Sequence, residues 1–317
     1  MQQPHWYQRA LDTASQMHVT QVEGVDITYR TWGDVGKPGI VLIHGSNAHL
    51  EWWRFVAPYL ADQFRVAALD LSGNGNSGWR ARYSGELFAR EVWAVCQAAE
   101  LGERPFVVGH SFGGFVALEA AHRFGADMGG VLFMDFTVAP PGQYLEWGMR
   151  AKREDAKPRR RRRVYADQDT IMGRFRLLPD QPGVYPPVLA HMARYGIRQV
   201  EGGWTWKFDP TLFDHLEMGI DQRDKFTRLA CRSAVILAEH SEDEGAYFGG
   251  YMNQIAGGAL PVLTVPDTYH HLMFDDPMST TMATKGLLLD WIREDHADEI
   301  RNNLAAVTGQ DMPQQRT

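Results

Sequence analysis

Gly109-His110-Ser111-Phe112-Gly113 is the stretch on which the reading of the fold turns. It follows the apolar run Phe106-Val107-Val108 and precedes Phe115-Val116-Ala117-Leu118-Glu119-Ala120-Ala121, which reads as a helix. A serine with glycine two residues before and two after it, set between strand and helix, has the context of a nucleophile elbow. The turn is so tight that both flanking positions must lack bulk, and it lifts the serine hydroxyl above the sheet. A chain with 31 glycines in 317 residues produces such a pentapeptide by chance about once in ten sequences, so the surroundings must carry the rest.

Outward from the elbow, short apolar runs alternate with amphipathic segments. Ile40-Val41-Leu42-Ile43, Val66-Ala67-Ala68-Leu69 and Val131-Leu132-Phe133-Met134 read as buried strands, the last two ending at Asp70 and Asp135. Val19 to Val22 and Ile27 to Arg30 flank Gly24-Val25-Asp26 as a hairpin. Trp52 to Leu60 and Leu87 to Leu101 read as helices. The rhythm predicts an α/β fold: a mostly parallel central sheet of about eight strands with helices on both faces.

Between Thr137 and Thr227 the alternation stops, and the segment is rich in Arg, Pro, Trp and Tyr. About ninety residues are too many for a structureless loop in a compact domain, so residues 137–227 are expected to form a largely helical lid. The core is expected from 1–136 and 228–317. It resumes with Ala234-Val235-Ile236-Leu237, a helix from Tyr247 to Ile255, Val262-Leu263-Thr264-Val265 and a helix from Ser279 to Glu294. The tail after Asp295 is polar, and residues 308–317 are expected to fray.

The bulk composition narrows the class. The chain is 44% hydrophobic and 22% charged, with a net charge of −7, which disfavours nucleic acid as a partner. No apolar run approaches the ~20 residues that span a bilayer, and Met1 to Trp6 lack a signal-peptide layout. Two cysteines, Cys96 and Cys231, make no disulfide framework. A cytoplasmic protein without membrane association is expected. Arg150 to Arg163 carries nine basic and two acidic residues, including Arg159-Arg160-Arg161-Arg162-Arg163. A solvated helix in a surface insertion is the favoured reading, with one or two arginines free to face an anionic substrate.

Four separated motifs resemble the α/β-hydrolase fold superfamily, in particular its lid-containing serine esterases. His44-Gly45-Ser46 follows the third strand, where that family places its oxyanion loop. Asp70-Leu71-Ser72-Gly73-Asn74-Gly75-Asn76-Ser77 is similar to its D-x-x-G-x-G-x-S turn. The elbow follows the fifth strand. His270 precedes Pro277 by seven residues, as in the family's G-H-x6-P segment, although Tyr269 replaces the glycine.

The resemblance implies a Ser-His-acid triad. A serine hydroxyl needs an adjacent base, an imidazole titrates near neutrality, and a carboxylate holds the imidazole in the useful tautomer. Ser111 is the expected nucleophile and His270 the expected base, in preference to His271. The amides of Ser46 and Phe112 are the expected oxyanion donors, with Asn47 the neighbouring candidate. His44, His110 and Asp70 are read as structural. The acid stays open. The family's usual position after the strand that follows the lid holds Ser241, so Asp135 is favoured, with Asp243 and Glu239 as alternatives.

The resemblance implies a carboxylesterase that needs no cofactor or metal and acts on a small molecule with an apolar acyl or alkoxy group. Asn47, Trp52, Trp53, Trp204 and Trp206 are candidates for the pocket. A C–C bond hydrolase and a ligand receptor on the same fold remain as alternatives.

Overall fold

Strand periodicity builds two cores from one sheet. In β3 (Gly39–Ile43), Ile40 and Leu42 enter one apolar cluster and Val41 and Ile43 the other. The same alternation separates Val66 and Ala68 from Ala67 and Leu69, and Leu132 and Met134 from Val131 and Phe133. All these residues are buried, as a parallel sheet covered on both faces requires. The computed structural model describes residues 3–143, 162–219, 221–241 and 245–308.

The remaining strands are β1 (Gln16–Val22), β2 (Val25–Trp32), β4 (Arg65–Leu69), β5 (Tyr83–Ser84), β6 (Phe106–His110), β7 (Gly130–Met134), β8 (Ile197–Val200), β9 (Gly203–Trp206), β10 (Leu216–Glu217), β11 (Ser233–Ala238) and β12 (Val262–Val265). Eight of them form the central sheet in the order β1-β2-β4-β3-β6-β7-β11-β12. The β1–β2 and β2–β4 pairs are antiparallel, and every other pair in the sheet is parallel. The helices Ala57–Leu60 and Pro277–Thr308 contribute Leu60, Leu288 and Trp291 to one core. Gly85–Ala98 and Phe112–Phe124 contribute Phe88, Val92, Phe115 and Leu118 to the other.

Three expectations change. The run from Trp52 to Leu60 is two short pieces, a 3₁₀ turn at Leu50–Trp53 and the helix Ala57–Leu60, with Pro58 in the helix's first turn. The polar tail stays helical to Thr308, and residues 309–317 lie outside the described part. Residues 137–227 also hold more than helices. Gln168–Met172, Pro186–Tyr195 and Gln222–Phe226 are helical, but β8 and β9 form an antiparallel hairpin, with Val200 opposite Gly203. Its two-residue turn needs Gly202 at φ 83°, a conformation glycine adopts without a Cβ penalty. Arg159 to Arg161 lie outside the described residues, while Arg162 and Arg163 lie within them.

Candidate active site

Adjacent parallel strands converge on one end of the sheet. β3, β6 and β7 are neighbours, so their carboxyl ends bring His44-Gly45-Ser46, Ser111 and Asp135 together. Ligands of open α/β sheets bind at this end.

The elbow has the backbone its glycines imply. Ser111 sits at φ 54° and ψ −122°, a strained conformation for a residue with a side chain. A Cβ on Gly109 would lie 2.1 Å from the Gly113 carbonyl oxygen, and one on Gly113 would lie 2.4 Å from that of Ile43. A Cβ on Gly45 would crowd the same turn, at 3.3 Å from Ser111 Cβ and 3.2 Å from His110 Nδ1.

Ser111 Oγ lies 2.9 Å from His270 Nε2, and His270 Nδ1 lies 2.6 Å from Asp135 Oδ2. With the carboxylate ionised, His270 Nδ1–H donates to Asp135, which leaves Nε2 to accept the serine proton. His270 and Asp135 are both buried. Asp135 also accepts the Ala238 N–H at Oδ1 over 3.0 Å and the Ser241 hydroxyl at Oδ2 over 2.8 Å. Hydroxyl, imidazole and carboxylate in this order can pass a proton to and from a reacting group.

The other acid candidates stand elsewhere. Glu239 is exposed and accepts the Asp267 N–H. Asp243 lies outside the described residues. Asp70 is buried and accepts the N–H groups of Leu50 (2.7 Å) and Asn76 (2.8 Å), which ties two loops together. Burial raises its carboxyl to about 6 against those two bonds.

Three tethers hold the loop around His270. The His110 Nε2–H donates to the His270 carbonyl over 2.8 Å. The Tyr269 N–H donates to Asp275 Oδ2 over 2.7 Å. The His271 N–H and Nδ1–H both donate to Gln181 Oε1, over 2.8 and 2.7 Å. Burial, with His270 next to it, lowers His271 to about 3, so it stays neutral with Nδ1 committed to Gln181. Burial likewise lowers His44 to about 4; its Nδ1–H donates to the Gly45 carbonyl and its Nε2 accepts the Leu71 N–H.

Ser46 is exposed and Asn47, at φ 54°, is half-buried. Among the described residues no acceptor takes the N–H of Ser46 or of Phe112, the first residue of its helix. Trp52 packs against the rings of His110, His271 and Phe274, next to the relay. Trp53, expected in the pocket, is 0% exposed and belongs to the core, because its turn of 3₁₀ helix points it inward. Trp206 meets Phe175 and Phe208, and Trp204 pairs through its backbone with Tyr165; these contacts build the hairpin region. Glu239, His240 and Asp267 bring three metal-type ligand atoms within 4.8 Å of one another on the exposed surface.

Ser241, Gln181 and Asp275 are the site neighbours that the sequence did not reveal. Ser241 carries a signal, since it occupies the family's usual acid position. Gln181 and Asp275 carry none.

A model of the Alpha/beta hydrolase family matches residues 40–283, which is most of the chain and contains every site element above. The chain belongs to the alpha/beta hydrolase family. This α/β hydrolase is 40% identical over 86 residues to the pimeloyl-[acyl-carrier protein] methyl ester esterase of Edwardsiella ictaluri, a stretch covering 27% of this chain and 31% of that protein. It is 31% identical over 119 residues to lipase LipV of Mycobacterium tuberculosis, covering 37% of this chain and 44% of that protein. The matches therefore span less than half the length of these relatives. A solved esterase of M. tuberculosis superposes with a TM-score of 0.69 at 18% identity, covering 89% of this chain and 96% of that one. The family is one of hydrolases and includes esterases. Among the described residues no helix is long and apolar enough to cross a membrane.

Proposed function

We propose that this α/β hydrolase cleaves carboxylic esters through an acyl-enzyme. The observation that carries the reading is the continuous relay from Ser111 Oγ through His270 to Asp135 Oδ2, at 2.9 and 2.6 Å. Esterase and lipase relatives support the choice of an ester bond.

Ser111 Oγ attacks the ester carbonyl as His270 Nε2 takes its proton. The carbonyl π electrons move to the oxygen, where the N–H groups of Ser46 and Phe112 receive the charge. Each such donor is worth about 3 kcal/mol to the transition state. The Phe112 amide heads a helix, so the helix dipole adds to its effect. Collapse of the tetrahedral adduct expels the alkoxide, which leaves as an alcohol with the proton from His270 Nε2. Water then attacks the acyl-serine, His270 accepts a water proton, and that proton returns to Ser111 Oγ as the acid departs. Throughout, Asp135 holds Nδ1–H and stabilises the imidazolium, so Nε2 always faces the reacting atoms. In this reading Asn47 and Trp52 meet the substrate's apolar group, and the enzyme acts in the cytoplasm on small esters with apolar groups.

The test is turnover of p-nitrophenyl acyl esters together with labelling by a fluorophosphonate. Ser111→Ala is expected to lose both. Retention of ester turnover by Ser111→Ala overturns the reading, as does hydrolysis confined to a diketone.

A further inference from the structure

Two guanidinium groups share one indole. Arg198 lies 5.0 Å from the centre of the Trp79 ring and Arg162 lies 5.8 Å from it. Arg162 is the first described residue of the basic run noted in the sequence, and the Arg163 carbonyl is fixed to the hairpin by the buried Thr205 hydroxyl at 2.8 Å. In β8 and β9 Arg198 pairs directly with Thr205, and the Lys207 N–H extends the ladder to the Gly196 carbonyl. Arg198, Thr205 and Lys207 therefore share one face of the hairpin. Arg198 joins the two sets, lying over Trp79 with Arg162 and on the hairpin face with Lys207.

Among the described residues no carboxylate pairs with Arg162, Arg198 or Lys207. The nearby acids that act on Lys207, Asp70 and Glu51, are committed elsewhere: Asp70 to two backbone amides, Glu51 to Arg30 at 3.0 Å and His191 at 2.9 Å. Burial and the proximity of Arg162 both disfavour the charge on Arg198. Two buried donors also lack acceptors, Arg198 Nε and Trp79 Nε1. An unpaired buried donor is costly, and a cation–π contact offsets only part of that cost. Like charges and orphaned donors on one face are the complement of an anion.

The position ties this face to the proposed site. Lys207 acts on Asp70, which follows β4 at the carboxyl end of the parallel strands, the end at which Ser111 follows β6. Lys207 acts on His49, whose ring meets Trp52, the neighbour of His110 and His271.

We propose that Arg162 and Arg198 over Trp79, with Lys207 on the hairpin face of Arg198, form a subsite for a carboxylate or phosphate carried by the substrate at the end remote from its scissile ester. Its connection to turnover rests on the ester-hydrolase reading; binding of the anion does not.

The test compares monomethyl adipate, which carries a free carboxylate, with dimethyl adipate, which is neutral. The wild type is expected to prefer the monoester in kcat/KM, and Arg198→Gln and Lys207→Gln are each expected to cut that preference about tenfold, through KM. Calorimetric titration of Ser111→Ala with monomethyl adipate reads binding without hydrolysis, and the Ser111→Ala/Arg198→Gln double variant is expected to bind about tenfold more weakly. Binding in Ser111→Ala that depends on Arg198, with neither adipate ester nor any p-nitrophenyl ester hydrolysed by the wild type, supports the subsite and removes the ester-hydrolase reading. Hydrolysis of both esters with a preference that neither substitution changes overturns the subsite and leaves that reading standing. Binding of inorganic phosphate without any advantage for the monoester also overturns the proposal, since the anion is then not the substrate's own.

Discussion

Ser241 donates its hydroxyl to Asp135 Oδ2 at 2.8 Å, the same oxygen that receives His270 Nδ1–H at 2.6 Å. The family's usual acid position, after the strand that follows the inserted segment, thus holds a donor that serves a carboxylate one strand away. β7 and β11 are neighbours, so a carboxylate on either strand end reaches the same imidazole. Asp135→Asn is expected to lower kcat about 10⁴-fold, because an amide no longer fixes the Nδ1–H tautomer. Ser241→Ala is expected to cost about tenfold, the scale of one lost hydrogen bond to a charged group. The Asp135→Asn/Ser241→Asp double variant is expected to recover part of the lost rate. Steady-state kinetics on p-nitrophenyl acetate decide it: near-normal turnover in Asp135→Asn, with loss in Asp243→Asn, sinks the assignment.

Gln181 couples the inserted segment to the base. Its Oε1 takes two N–H groups of His271, while its Nε2 donates to Asp275 Oδ1 at 2.8 Å, and the other oxygen of Asp275 holds the Tyr269 N–H. Both peptide neighbours of His270 are thereby fixed from one polar cluster. Gln181→Leu is expected to lower kcat about tenfold with little change in KM, because the loss falls on alignment of the base in the transition state. Equal losses in KM and kcat, or a collapse of the thermal transition, would show a role in substrate binding or folding instead.

These two relationships mark the boundary of what sequence can say. The elbow, the His44-Gly45-Ser46 loop and His270 are legible because a tight turn, a close approach and a proton transfer each restrict residue type at fixed spacing. The eight-stranded sheet is legible because buried strands leave continuous apolar runs. The hairpin β8–β9 leaves a weaker trace: Ile197-Arg198-Gln199-Val200 and Gly203-Trp204-Thr205-Trp206 alternate about Glu201-Gly202, inside a segment whose arginines and prolines suggest no strand. Trp53 shows the limit for aromatics, since bulk alone does not separate a core ring from a pocket ring. Gln181 is silent because a glutamine that tethers a backbone 90 residues away has no local pattern.

Buried neutral histidines make stability depend on acid. His44 is lowered to about 4, and His49 and His271 to about 3, each mainly by burial. The unfolded chain takes up these protons near pH 6.5 and the folded protein only at the lower values, so stability is full above about 6.5 and falls as pH drops below it. At pH 5 each histidine contributes a loss of about 2 kcal/mol. Asp70 works the other way, since its raised carboxyl, near 6, makes the folded state the better proton acceptor between about 3.9 and 6, which returns part of the loss. Urea unfolding is expected to show a midpoint at pH 5 well below that at pH 7, with His271→Gln shrinking the difference. A midpoint that holds or rises from pH 7 to 5 contradicts this.

The elbow itself stores strain that a substitution can release. Ser111 is held at φ 54°, fixed by its N–H on the Met134 carbonyl at 3.0 Å and by its own carbonyl on the Gly114 N–H at 2.7 Å. A residue with a Cβ in such a backbone costs about 1–3 kcal/mol, and glycine costs almost nothing. Ser111→Ala keeps the Cβ and so keeps the strain; Ser111→Gly removes it, at a cost of roughly 0.5–1 kcal/mol in unfolded-chain entropy. Both are expected to lose ester turnover, but only Ser111→Gly is expected to gain stability, by about 1 kcal/mol, or a rise on the order of 2 °C in Tm. The contrast isolates backbone strain from chemistry, because the two variants lack the same hydroxyl. Equal Tm values for the two would mean that the surrounding strands and the helix Phe112–Phe124, rather than the serine, set the conformation at no cost to the side chain.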